Sequence, residues 1–233
     1  PEDPDIGAMF AAAYMNTTRW DYWQADGTAR PGTAEARAAL EATMAAEHDH
    51  PGANHLYIHL MEASMEPELA MPSAQKLERI VPIAGHMVHM PGHIYSKLKR
   101  YHDSTWQQEA SARVDHAHMM RDRVLPDQIH NFAHNNEWLT RNLNHLGRAN
   151  DAVALARNMV ELPRHPKYNS MAKPDAPTEY GKRGSGRYGR MRLLDPLLRY
   201  EMWDEIISSS QTVYLEQTTI PEEQAKRLAA VGV

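Results

Sequence analysis

His55 and His59 recur 34 residues later as His89 and His93, and a third pair, His130 and His134, keeps the same internal spacing. A separation of four puts both imidazoles of each pair on one helical face, about 6 Å apart along the axis. Proline counting gives a second register. Pro51 is followed at +4, +8 and +11 by His55, His59 and Glu62, Pro126 by His130, His134 and Glu137, and Pro82 by His86, Met90 and His93. The two registers differ only on whether His86 or His89 corresponds to His55. Imidazoles with carboxylates are a ligand set for a transition metal such as Zn, Cu or Fe, with metal–nitrogen bonds of about 2 Å. The spacing therefore predicts a metal centre with ligands drawn from His55, His59, His89, His93, His130 and His134. His86 and Glu62 serve in it as direct ligands or as hydrogen-bonded supports. Eight candidates exceed one tetrahedral ion, so a dinuclear centre and a single ion with outer His–carboxylate partners both remain open.

Other uses of these residues compete with that one. A single His at a repeat position is most often a hydrogen-bonded packing residue, and a metal-free polar groove for a peptide or anion would also use such a stripe. A metal-dependent enzyme, hydrolase or oxidoreductase, would take Glu62 or Glu137 as base and Tyr95 as proton donor, although no HExxH, nucleophile elbow or phosphate loop supports it. A binding groove would draw hydrogen bonds from Asn54, Asn131, Lys97 and Arg141 toward a small molecule or peptide. The remaining histidines are weaker candidates. His116 and His118 point to different helix faces, His102, His145 and His165 fall in turns or loops, and His48 and His50 sit at a helix end. The 14 methionines are chiefly adaptable core fillers, Met90 being the one weak pointer to copper.

The elements that must position these side chains are helices. Ala, Met, Leu, Glu and Arg are plentiful while Phe occurs only twice, which favours helix over strand. Thirty-four residues is the length of one tetratricopeptide-type helix-turn-helix unit, whose corresponding positions line one concave surface. The expected fold is therefore all-α, a right-handed α-α superhelix of about five helix pairs forming one domain over residues 1–233. The pairs read as roughly 5–18 with 32–47, 53–64 with 67–80, 85–99 with 103–122, and 128–146 with 149–161. Prolines 51, 82 and 126 are read as openers of the following helix, where a missing N–H is harmless. Leu98-Lys99-Arg100-Tyr101, Leu146-Gly147-Arg148-Ala149 and the stretch from Arg199 to Glu205 share the texture of the tight turn between paired helices. Two insertions interrupt the period, at about 19–31, carrying Trp20, Tyr22 and Trp23, and at about 162–186. Gly184 to Gly189 formally spells GxGxxG, but no apolar strand precedes it and a dinucleotide reading is rejected.

His50-Pro51-Gly52-Ala53-Asn54-His55-Leu56-Tyr57-Ile58-His59 and Gly85-His86-Met87-Val88-His89-Met90-Pro91-Gly92-His93-Ile94-Tyr95 resemble the marker strings of a group of bacterial tetratricopeptide-repeat proteins. The Arg19-Trp20-Asp21-Tyr22-Trp23 loop and the His130-to-His134 segment look like that group too, so the likeness covers nearly the whole chain. The resemblance implies the fold and the ligand-facing residues, and supplies no reaction. Members tend to extend further at the N-terminus, which makes this chain look like the C-terminal part of a longer solenoid. Gly92 stands where Ser or Ala is more usual, which should loosen the helix, and Asn135-Asn136-Glu137-Trp138 replaces a more apolar run.

Composition narrows the classes of partner. With no cysteine there are no disulfides or thiolate ligands. A net charge of −5 without a basic stripe argues against nucleic acid. No run of about 18 apolar residues occurs, so membrane insertion is not expected, and the compartment, cytoplasmic or periplasmic, stays open.

Overall fold

A computed structural model describes residues 3–163, 184–215 and 221–232. Their regular secondary structure is all helical, apart from one isolated β-bridge between Trp23 and Ala29. Among the described residues no helix is long and apolar enough to cross a membrane. The chain divides into two compact units, residues 1–107 and 108–233.

The first unit holds α1 (Pro4–Thr18), α2 (Thr33–Ala46), α3 (Pro51–Glu62), α4 (Met71–Ile80), α5 (Gly85–Lys97) and the start of α6 (Tyr101–Asp122). Local chemistry sets their beginnings. Asp3 caps α1 through the Asp5 N–H with Pro4 in the first turn, and His50 caps α3 ahead of Pro51. The His50 Nδ1 accepts from the Ala53 N–H at 3.0 Å, so its Nε2 carries the proton donated to Asp5 Oδ1, also at 3.0 Å. Pro82 does not open a helix. It lies in the turn before α5, which starts at Gly85, so the count from Pro82 is not the helix register. α3 packs on α1, α2, α4 and α5 around a core that includes Leu40, Ile58, Leu60, Met61, Leu77, Met90 and Ile94. Met90 is wholly buried in that core, and so is spent on packing.

The second unit contains the end of α6, α7 (His130–His145), α8 (Ala149–Glu161), α9 (Ser185–Arg199), α10 (Trp203–Ser209) and α11 (Pro221–Val231). Pro126 opens a short 3-10 turn, and α7 begins only at His130. The 19–31 insertion stands as the α1–α2 connection, while most of the second, residues 164–183 with His165, lies outside the described residues. Gly184 is the N-cap residue of α9.

The three turns singled out by texture are one structure. Lys99, Gly147 and Glu201 all have positive φ, at 59°, 77° and 52°. In each, the next N–H reaches back five residues: Arg100 to Tyr95, Arg148 to Leu143 and Met202 to Leu197, at 2.8 to 3.0 Å. This is the Schellman ending, whose left-handed position suits glycine. Only the middle turn has one. Lys99→Gly is therefore expected to raise unfolding free energy by about 1 kcal/mol, read from urea denaturation midpoints.

A buried polar knot joins α6 to α7 in the second unit. The Asn135 amide donates to Ser111 Oγ and to Asp115 Oδ2, the latter at 2.7 Å. Burial pushes the Asp115 carboxyl up to about 6, against the opposing pull of the Asn135 bond and His118. An acid whose folded pKa is raised binds more protons folded than unfolded between its ordinary value of 3.8 and about 6, so stability falls as pH climbs through that window. Asp115→Asn keeps the carbonyl acceptor without the buried charge. It should be more stable than the wild type by about 1 kcal/mol above pH ~6 and equal to it near pH ~4, by thermal melts across pH.

Candidate metal centre

α3 begins at residue 51 and α5 at residue 85, a difference of 34, so His55 and His89 occupy equal helix positions, as do His59 and His93. Glu62 ends α3, one turn beyond His59. On α5 the stripe is His86, His89 and His93, at i, i+3 and i+7, so both registers contribute a ring to the same face. α5 stays helical through Pro91 and Gly92, and the Gly92 carbonyl accepts from Ser104 Oγ at 2.8 Å, which ties α5 to α6.

Five imidazoles and one carboxylate meet there. His55 Nε2 lies 3.0 Å from His86 Nε2, and His89 Nε2 lies 2.6 Å from His93 Nε2. One nitrogen each from His55, His59 and His86 fall within 4.8 Å of one another, so this triad can hold a metal ion. Two nitrogens bound tetrahedrally at about 2.0 to 2.1 Å stand about 3.3 Å apart, close to the His55–His86 spacing. Glu62 sits behind the rings. Its Oε1 accepts from His59 Nδ1 at 2.9 Å, and its Oε2 lies 2.8 Å from His93 Nδ1. A carboxylate on Nδ1 leaves Nε2 as the outward lone pair, the usual backing of a metal-bound histidine.

The electrostatics suit a cation. Burial by itself would raise the Glu62 carboxyl, but the attraction of His93 and the bonds from His59 and His93 outweigh it and hold the group well below the usual carboxylate range. His55 is pushed down to about 3, first by burial and then by the neighbouring His59, His86 and His93 rings. It is thus neutral at physiological pH, with a lone pair to offer. Glu62 is 6% exposed, and among the described residues its ion pairs are to His59 and His93 alone. A buried carboxylate asks for a positive partner.

The 19–31 loop meets this cluster. Trp23 donates from Nε1 to the Leu60 carbonyl at 2.8 Å, Tyr22 is buried, and Trp20 sets its ring against His59, centroids 4.9 Å apart and edge-on at 78°. No local signal shows that Trp20 touches a candidate ligand.

Several expected ligand-facing residues are engaged elsewhere. Asn54 donates to the His48 and His50 carbonyls and so secures the α2–α3 connection. Tyr95 donates to Glu78 Oε1 at 2.8 Å, and burial together with Glu78 pushes its phenol up, which makes it a poor proton donor. Lys97 is exposed in the last turn of α5.

In the second unit, His130 and His134 stack with centroids 5.8 Å apart, with Asn131 between them in sequence and half-buried. Since α7 starts at His130, His134 and not His130 takes the helix position that His55 holds in α3. Glu137, equivalent to Glu62 by the proline count, has a different partner. Arg192 grips its Oε1 through Nε at 2.6 Å and through Nη2, while His134 Nδ1 stays 3.9 Å from Oε2. Arg141 is exposed and stacks on Trp138 at 4.8 Å. Asn135 and Asn136 are buried and bonded inward.

No family model, curated protein or solved structure matches the chain.

Proposed function

We propose that this protein is a helical-repeat metalloprotein whose first unit binds a divalent transition metal, Zn, Cu or Fe, together with a small exogenous ligand. The ion sits on Nε2-type nitrogens of His55, His59 and His86, with His89 and His93 offering a further pair. The observation that carries this reading is geometric: one nitrogen each of His55, His59 and His86 lie within 4.8 Å of one another, and the buried carboxylate of Glu62 stands behind His59 and His93. A bound cation takes up the imidazole lone pairs and offsets the charge of the Glu62 carboxylate behind them. Glu137 has Arg192 for that purpose, which explains why two sequence-equivalent carboxylates have different surroundings.

A repeat solenoid of the tetratricopeptide kind is the architecture we favour. It is supported by the 34-residue step from α3 to α5 and by the α3–α4–α5 packing. A reactive ion is favoured over a purely structural one, because three ligands leave the fourth tetrahedral position to water or substrate. His55, His59 and His86 are each only partly covered, so that position is reachable. Such an ion acts by activating water or by polarising a bound oxygen.

Protein purified without a polyhistidine tag, from cells supplied with Zn, Cu and Fe, is expected to carry about one ion per chain by elemental analysis. Fewer than about one ion in ten chains, unchanged by reconstitution and desalting, would sink the reading in favour of a metal-free groove.

A further inference from the structure

We infer that Trp20 is the outer wall of the metal's open position, so that the exogenous ligand is a small organic molecule with a flat apolar body beside its donor atom. This rests on the metal-binding reading above and names the ligand class it would take. Three observations lead to it. The first is contact: Trp20 meets His59, a ligand of the proposed ion, at 4.9 Å between ring centres. The second is exposure, since Trp20 keeps 56% of its surface in solvent while Tyr22, two residues on, is buried and Trp23 is half-buried. A large indole held in water beside a metal site presents apolar surface that folding has not used.

The third is backbone cost. Trp20 has φ of 69°, a conformation a bulky residue rarely adopts. Such strain persists where the surroundings impose it, and it collects at ligand clamps. Here the surroundings do impose it. The Tyr22 carbonyl accepts from the Arg30 N–H at 2.9 Å and from Thr33 Oγ1 at 2.8 Å, and Trp23 is fastened to Leu60. The loop thereby carries Trp20 to the edge of the imidazole cluster and keeps it there. A bare inorganic anion gains nothing from an indole. A phenol, an aromatic carboxylate or an azole carrying an aryl group can bind the metal through one atom and lay its apolar ring on Trp20.

Trp20→Gly separates this role from a structural one, because glycine accepts the left-handed backbone without strain. The full chain, loaded with Co(II) in the wild-type and Trp20→Gly forms, is titrated with imidazole and with 4-phenylimidazole, which offer the same donor atom with and without an apolar body. Binding is followed by the cobalt visible bands. The wild type should prefer 4-phenylimidazole by at least about tenfold. Trp20→Gly should lose that preference while its cobalt stoichiometry, its imidazole affinity and its melting temperature are no lower. An equal preference in both proteins would overturn the inference and leave metal binding intact. Loss of cobalt in Trp20→Gly would overturn it by showing that Trp20 only holds His59. Trp20→Phe, which keeps a ring, should retain most of the preference, and a preference as weak as that of Trp20→Gly would count against the wall. A wild-type chain that takes up no cobalt would bring down the metal-binding reading itself, and the wall with it.

Discussion

Protein carrying both His55→Ala and His86→Ala is expected to bind its metal at least about 100-fold more weakly than the wild type, with helix content unchanged. The two rings meet nitrogen to nitrogen at 3.0 Å and supply two of the three ligands within reach of one ion. Losing even a residue that merely hydrogen-bonds to a ligand costs 10- to 100-fold in affinity, so losing two ligands costs more. This pair is a better test than His59 with His93, because those two also hold the buried Glu62. Removing them strands a charge inside the unit and costs about 3 to 5 kcal/mol of stability, which confuses metal loss with unfolding. Elemental analysis and competition with a chelator measure the first quantity, and far-UV circular dichroism the second. One tightly held ion in the double variant would mean that the metal sits on other residues.

Gly189→Ala is expected to destabilise the second unit by about 3 kcal/mol, although alanine is the better helix former by about 1 kcal/mol. A Cβ at Gly189 would stand 2.6 Å from the Ala156 carbonyl oxygen, 2.8 Å from Val160 Cγ2 and 3.0 Å from Met159 Cβ. The nearest of these is backbone and cannot turn aside. α9 must then move off α8, which disturbs the packing of Val153, Ala156, Leu193 and Leu197. Urea denaturation followed by circular dichroism measures the loss. A variant as stable as the wild type would show that α8 and α9 do not approach as closely as described.

Much of the helical pattern was legible in the residues. α1 to α8 fall within a few residues of the segments read from periodicity and punctuation, and the three turns of shared texture proved to have the same hydrogen bonds. Pro82 misled, because a proline near a helix start does not say how many residues of turn follow it. Pro126 misled similarly, moving His130 to the first residue of α7. The rejection of the Gly184–Gly189 motif rested on the missing strand. The physical work of Gly189, close approach to α8, was invisible because it depends on a neighbour more than 25 residues away.

The candidate site was legible in part for a definable reason. A stripe at i, i+4 and i+7 is set by helical geometry, so His55, His59 and Glu62 share a face whatever surrounds them. The 34-residue count gives the true helix equivalence, His55 with His89, yet the ring that meets His55 is His86, which lies on the same α5 face. The sequence suggests Asn54 as a hydrogen-bond partner for the ligand and Tyr95 as a proton donor. Glu78 and the carbonyls of the α2–α3 connection claim them in three dimensions.

What the sequence by itself determined about this protein is the helices, their turns and the alignment of imidazoles along two of them, because those properties arise within four or five residues of chain. Only the tertiary structure decided which polar groups are already satisfied. Glu62 and Glu137 occupy matching places in their motifs, yet one is backed by histidines and the other by Arg192, 55 residues away. The long-range partner of a charge is chosen by packing, which no local spacing encodes.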